Sequence, residues 1–169
     1  GEDVLSIWRC VNMFFFFTKS PKYDFSGKYS ASDIAKYVVS KCTCDNSPVT
    51  NLQLQKILYY LQVNFLQEKQ YALFREDIEA WQFGPVVRAV YRRYCGYGSS
   101  SIYEPEMPET QFLNEEISLM NGVIEEKRSM KPWDLVRKTH EDGKPWDLIY
   151  RDGDGDREVI PKDVIATYG

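Results

Sequence analysis

His140 is the only histidine in the chain, so any acid–base or Cys–His mechanism built on histidine must use it. Thr139 and Glu141 flank it at the end of a predicted helix, where a positive imidazole is favoured by the helix dipole. No nucleophile stands out beside it. The residues therefore favour a structural or partner-binding His140 over a catalytic one, with a hydrolase-type enzyme using His140 as the alternative.

Four cysteines are present, Cys10, Cys42, Cys44 and Cys95. Cys42-Thr43-Cys44 offers two thiolates, but zinc wants four ligands, often from paired Cys-x-x-Cys spacing. The remaining soft donors, Cys10, Cys95 and His140, are scattered. The spacing also makes a poor disulfide framework, and a chain of this size does not need one. Reduced thiols in the cytoplasm are expected. Asp152-Gly153-Asp154-Gly155-Asp156 resembles the start of a calcium loop, with acids at the first, third and fifth positions. The sixth position holds Arg157 instead of Gly, the twelfth holds Asp163 instead of Glu, and Pro161 intervenes. A solvated turn is the expectation, with no metal and no cofactor.

Arg88, Arg92 and Arg93 alternate with Tyr91 and Tyr94, and Arg88 and Arg92 share a helical face. This is either a solvated face or a binding ridge. Twelve tyrosines and four tryptophans raise the case for a binding surface, since these residues anchor interfaces. A net charge of −4 argues against a general nucleic-acid binder. No separate helix-turn-helix segment is visible, so a DNA-binding regulator remains only an alternative.

The elements that must position these residues are mostly helical. The chain has 169 residues, 43% of them hydrophobic, which suits one domain with a sizeable core. Residues 1–28 read as an N-terminal extension, and the domain as residues 29–169. The run Phe14-Phe15-Phe16-Phe17 is too short to cross a bilayer, and the acidic start does not suit a signal peptide. Met13 is a candidate internal start. Ser30 and Asp33 form an expected capping box for a helix carrying Ile34, Val38 and Cys42. Thr50 and Gln53 form a second, for a helix over residues 50–68 with Leu54, Ile57, Leu58, Leu61 and Phe65 at helical spacing. Residues 70–81 hold a short strand or an irregular crossing. Gly84-Pro85 reads as a turn into a helix that runs to Cys95, with Trp81 packed inside against Leu58 or Leu61. Further helices are expected around Leu113–Arg128, from Pro132 through Trp133, Leu135, Val136 and His140, at Pro145-Trp146, and from Pro161. The fold class is mainly α, one compact domain of about six helices with room for a small β-hairpin.

Two segments carry most of the information. One is Asn51-Leu52-Gln53-Leu54-Gln55-Lys56-Ile57-Leu58-Tyr59-Tyr60, and the other is Glu79-Ala80-Trp81-Gln82-Phe83-Gly84-Pro85-Val86-Val87. With Tyr29-Ser30-Ala31-Ser32-Asp33, Val90-Tyr91, Tyr97-Gly98, Thr139-His140 and Pro145-Trp146, the pattern resembles the Panacea antitoxin domain family, the SocA-like phage-associated proteins. The resemblance covers residues 29–168, more specifically in its first half than after Ile102.

The resemblance implies a mostly helical, non-enzymatic antitoxin of a bacterial or prophage toxin–antitoxin pair. It implies a cognate toxin as partner, neutralised by direct protein binding, and for some members a protease to which the toxin is delivered. It implies neither cofactor nor membrane, and nucleic acid is not an expected partner. Gln55, Lys56, Tyr59, Trp81, Arg88, Tyr91, Arg92, His140 and Trp146 are the candidate partner-binding residues, the first three on the exposed polar side of the long helix.

Overall fold

Thr50 starts the helix around which the rest is arranged. In the computed structural model, which describes residues 22–169, its hydroxyl accepts from the Gln53 N–H while the Gln53 side chain accepts from the Thr50 N–H. This reciprocal cap opens α2 (Asn51–Lys69), and Gln70 ends it in the left-handed conformation. Before it runs α1 (Ala31–Cys44), capped by the Ser30 hydroxyl. Only half of the expected capping box forms there. The Asp33 carboxylate accepts instead from the Thr110 hydroxyl at 2.7 Å, which ties α1 to the loop before the fourth helix.

Seven α-helices and a three-stranded sheet make up the described residues, so the fold is mainly α. After α2 come β1 (Ile78–Trp81), β2 (Gly84–Val86), α3 (Arg88–Tyr94), α4 (Asn114–Arg128), α5 (Pro132–Thr139), α6 (Pro145–Tyr150), β3 (Val159–Ile160) and α7 (Lys162–Tyr168). The strands are antiparallel in the order β2-β1-β3, with Trp81 opposite Gly84 and Ile78 opposite Ile160. Residues 102–110 form neither helix nor strand.

Pro85 does not open a helix, contrary to the sequence expectation. Trp81 and Gly84 close a hairpin around Gln82-Phe83, and Pro85 lies in β2, opposite Ala80. A proline is tolerated there because β2 is the sheet edge and its missing N–H breaks no ladder. Gly84 has φ +104°, outside the range of an ordinary side chain. The helix begins three residues after the proline, at Arg88, with Val87 as its cap residue.

Helix α2 is enclosed by α1, α3, α4, α5, α7 and β2. Thirteen of its nineteen residues are buried, including polar ones. Leu54, Ile57, Leu58, Leu61, Phe65 and Leu66 form the centre of the core. Burying such side chains stabilises the fold by roughly 1.5–3 kcal/mol each. Gln62 is fully buried but satisfied, accepting from the Leu73 N–H at 2.8 Å and donating to the Phe74 carbonyl at 3.0 Å.

The segment before α1 pairs with the segment after α2. The Asp24 N–H donates to the Gln70 carbonyl, the Ala72 N–H to Asp24, and the Tyr29 N–H to Leu73. A buried carboxylate from α4 fastens this arrangement. Glu116 accepts from the Lys28 ammonium, from the Tyr29 hydroxyl at 2.5 Å, from the Tyr71 hydroxyl at 2.6 Å and from the Leu113 N–H at 3.0 Å. Burial alone would raise the Glu116 carboxyl, but these donors outweigh it and hold it down to about 2. The Phe-rich run, Met13 and Cys10 lie outside the described residues.

Candidate functional site

Gln55 and Lys56 are where the two signature segments meet. The Lys56 ammonium is fully buried and donates to the Pro85 carbonyl at 3.2 Å. The neighbouring Gln55 amide oxygen accepts from the Val87 N–H at 2.9 Å, and its amide nitrogen donates to Asn51 Oδ1 at 2.9 Å. Asn51 in turn donates to the Tyr91 carbonyl at 3.1 Å. Polar side chains of α2 thus hold β2 and the start of α3 in place. Gly84 is needed for this packing as well as for its φ. A Cβ there would lie 2.7 Å from Lys56 Cε and 2.8 Å from Thr139 Oγ1.

The expectation that Gln55, Lys56 and Tyr59 face solvent is therefore corrected. All three are buried, because α2 is surrounded and has little free face. Burial pushes the Lys56 ammonium down to about 7. Among the described residues Lys56 has no carboxylate partner. Its one hydrogen bond leaves further ammonium N–H groups available.

Trp81 is also not where the sequence placed it. Along β1 burial alternates, so Ile78 and Ala80 face the core while Glu79 and Trp81 face outward. Trp81 is half-buried, its ring 5.0 Å from that of Tyr91 and beneath the Arg157 guanidinium at 4.6 Å. The Glu79 carboxylate fixes the ring, accepting from the Trp81 indole N–H at 2.8 Å and from Arg88 at 2.9 Å. Arg88 is thus engaged within the chain. Arg92, one turn on, has no ion-pair partner among the described residues.

Trp81, Tyr91 and Arg157 border a cleft of about 610 Å³, a size suited to a ligand or an inserted side chain. Trp81, Phe83, Tyr91 and Trp133 form its aromatic walls, and Lys56, Gln55 and Asn51 its floor. Phe83 and Trp133 meet edge to face at 5.6 Å while remaining 50% and 56% exposed. A shallow groove with Arg88, Arg92 and Arg157 continues past Trp81 and Tyr91.

Sequence reasoning missed Phe83, Trp133 and Arg157 as parts of this site. Trp133 was expected on the helix opened by Pro132, and it occupies the first turn of α5, off the face that buries Leu135, Val136 and Thr139. A signal did exist for Phe83. An aromatic residue at a two-residue hairpin tip has no sheet face to hide in.

His140 ends α5 and stacks on Trp146, with ring centroids 3.5 Å apart. Trp146 is buried, stacks also on Tyr150, and donates its indole N–H to the Trp81 carbonyl at 2.7 Å. Burial, then the nearby Lys56 charge, lowers the His140 imidazole against the opposing pull of Asp147. Its Nε2 is buried without a hydrogen-bond partner among the described residues. No cysteine or carboxylate bonds to the ring there, so no nucleophile–base–orienter set is assembled around it. Cys42 is buried, and Cys44 and Cys95 are exposed and free. Among the described residues no cluster of three or more His, Cys, Asp or Glu is placed to hold a metal ion, and no helix is long and apolar enough to cross a membrane.

Comparison with known proteins places this geometry. Residues 54–147, more than half of the chain, match the family described as Antitoxin SocA-like, Panacea domain. The match takes in Gln55 and Lys56 of the cleft floor, the aromatic walls and the His140–Trp146 stack. A stretch of 72 residues is 38% identical to Antitoxin SocA of Caulobacter vibrioides (strain NA1000 / CB15N). That similarity covers 43% of this chain and 38% of the Caulobacter protein, well under two thirds of its length. No solved structure matches.

Proposed function

The chain belongs to the SocA-like, Panacea-domain antitoxin family, and on that premise we propose that it neutralises a bacterial or prophage toxin by binding it directly. The observation that carries the reading is the convergence of both signature segments beneath one exposed aromatic cleft. The polar signature residues there are consumed in shaping the fold, and what they present outward is a binding surface. A catalytic apparatus is not needed for such a role. The orphaned, Trp146-stacked His140 fits a structural position better than that of a general base.

In this reading the protein acts in the cytoplasm, where a toxin attacking intracellular processes must be held. Delivery of the bound toxin to a protease is the finer version of the same role. Growth rescue tests the first claim. Co-expression of the full chain should restore growth to cells expressing the product of the adjoining reading frame. If that product is toxic and the folded chain gives no rescue, the reading is wrong. The adaptor version predicts in addition that the toxin's half-life shortens when the chain is present.

A further inference from the structure

Three features of the cleft call for an occupant of defined chemistry. Phe83 and Trp133 hold two aromatic rings half in solvent at its mouth, a costly arrangement for a surface that stays bare. Trp81 and Tyr91 form a second aromatic wall, held rigid because Glu79 and Arg157 fix Trp81. Below them lies Lys56, a buried amine held at about 7 and paired with no carboxylate of the described residues, whose charged form an entering carboxylate would favour. Arg92 and Arg157 extend this positive character along the adjoining groove, with Asp156 3.8 Å from Arg157 and Glu79 close enough to feel its charge. A basic floor and rim on a chain of net charge −4 is a local departure that invites an acidic group.

The same surface discriminates between kinds of anion. Asp152, Asp154, Asp156 and Glu158 stand on the loop that carries Arg157. Asp156 is the one acid among the residues lining the cleft, so a single carboxylate entering on the Lys56 side meets less repulsion than a phosphate backbone crossing the whole rim. Gln55 and Asn51 beside Lys56 each already spend one amide N–H and one oxygen lone pair on the chain itself, which fixes their orientation.

We propose that this cleft is the toxin-docking surface, and that it receives a protein segment carrying an apolar or aromatic side chain beside a carboxylate. The apolar group inserts between the Phe83–Trp133 and Trp81–Tyr91 walls, and the carboxylate points toward Lys56 and the Arg92–Arg157 rim. This assignment rests on the antitoxin reading and adds to it the face and the chemistry of the partner. Aromatic and Arg anchors over a desolvated pocket are the arrangement in which few residues carry most of the binding energy.

The test uses the full chain and the purified product of the adjoining reading frame. Phe83→Ala with Trp133→Ala changes exposed side chains, and thermal melts establish that the variant stays folded. The pair should weaken binding at least ~30-fold, the scale of a hot spot. Arg92→Glu with Arg157→Glu should weaken binding and flatten its salt dependence. Tyr103→Ala with Met107→Ala, exposed residues outside the cleft, should leave affinity within ~3-fold, as expected away from a hot spot. Hydrogen exchange on the partner should show a protected segment containing Asp, Glu or the terminal carboxylate. Wild-type binding that survives both cleft variants would overturn the docking assignment and leave the antitoxin reading standing. No binding by the wild type would remove both. Cleft-dependent binding of a single-stranded oligonucleotide, with partner affinity unchanged in the variants, would overturn the protein occupant. A protected segment without an acidic group would overturn the charge assignment.

Discussion

The Lys56 ammonium donates to the carbonyl oxygen of Pro85 at 3.2 Å, directly beneath Gly84. One lysine of the central helix thereby holds a hairpin edge that, among the described residues, has no strand partner beyond it. The contact forces Gly84 to be a glycine for two reasons at once, its φ of +104° and the lack of room above Lys56 Cε.

Gly84→Ala should therefore destabilise the fold by ~2–4 kcal/mol, combining left-handed strain with overpacking. Urea denaturation measures this. A loss below about 0.5 kcal/mol, the level of an ordinary surface change, would show that the hairpin can relax away from Lys56.

Lys56 also sets a pH dependence. Its folded-state value is about 7, below the ordinary ammonium value. Between those two values the unfolded chain binds the extra proton, so stability should rise as pH is raised from about 7 toward 10. Tyr59 and Tyr60 act in the opposite sense. Burial raises both hydroxyls, so their contribution is complete below about pH 10 and is lost above it. Urea midpoints across pH should peak on the alkaline side of neutral. In Lys56→Met the rise above pH 7 should disappear, without loss of stability at neutral pH, because a buried charge has been removed. A wild-type profile flat from pH 7 to about 9 would contradict this.

Glu116 governs the acid limb. Its carboxyl is held down to about 2 in the folded chain, against an ordinary value of about 4.3. The stability this provides is complete above the ordinary value and drains away as pH falls toward 2. Glu116→Gln should cost about 2–3 kcal/mol at pH 7, less than a fully enclosed pair because Lys28 reaches solvent. The substitution should also flatten the profile between pH 5 and pH 2. An unchanged acid limb in the variant would assign acid unfolding to other carboxylates.

Trp146 and Trp81 should separate stability from binding. Trp146→Ala removes a buried ring stacked on His140 and Tyr150, at a cost of about 3–5 kcal/mol. Trp81→Ala acts on an outward-facing residue and should cost only about 1 kcal/mol. Chemical denaturation of both variants checks the ranking. Equal losses would place Trp81 in the core after all.

Much of this architecture was readable from the chain itself. Thr50 and Gln53 announce α2, its leucine and isoleucine spacing gives its core face, and Pro132, Pro145 and Pro161 mark later helix starts within a residue. Gly84-Pro85 misled because glycine followed by proline suits both a helix start and a hairpin edge. Only the pairing of Trp81 with Gly84 decides between them. Lys56 and Gln55 misled for a different reason. A polar residue on an amphipathic helix reads as exposed unless neighbours enclose every face, and enclosure is a property of the assembled fold. Trp81 turned on strand parity, where a one-residue shift exchanges inside and outside. The cleft itself draws its walls from β1, the hairpin tip, α3 and α5, and no local pattern brings Phe83 to Trp133.

The central claim, that this chain holds a toxin by direct contact, is tested most directly by calorimetric titration. The full chain would be titrated into the purified product of the adjoining reading frame, with the mixture then run on a sizing column. The account predicts saturable binding with a defined stoichiometry and co-elution as one complex. Two folded proteins that give no binding heat and elute separately would contradict it.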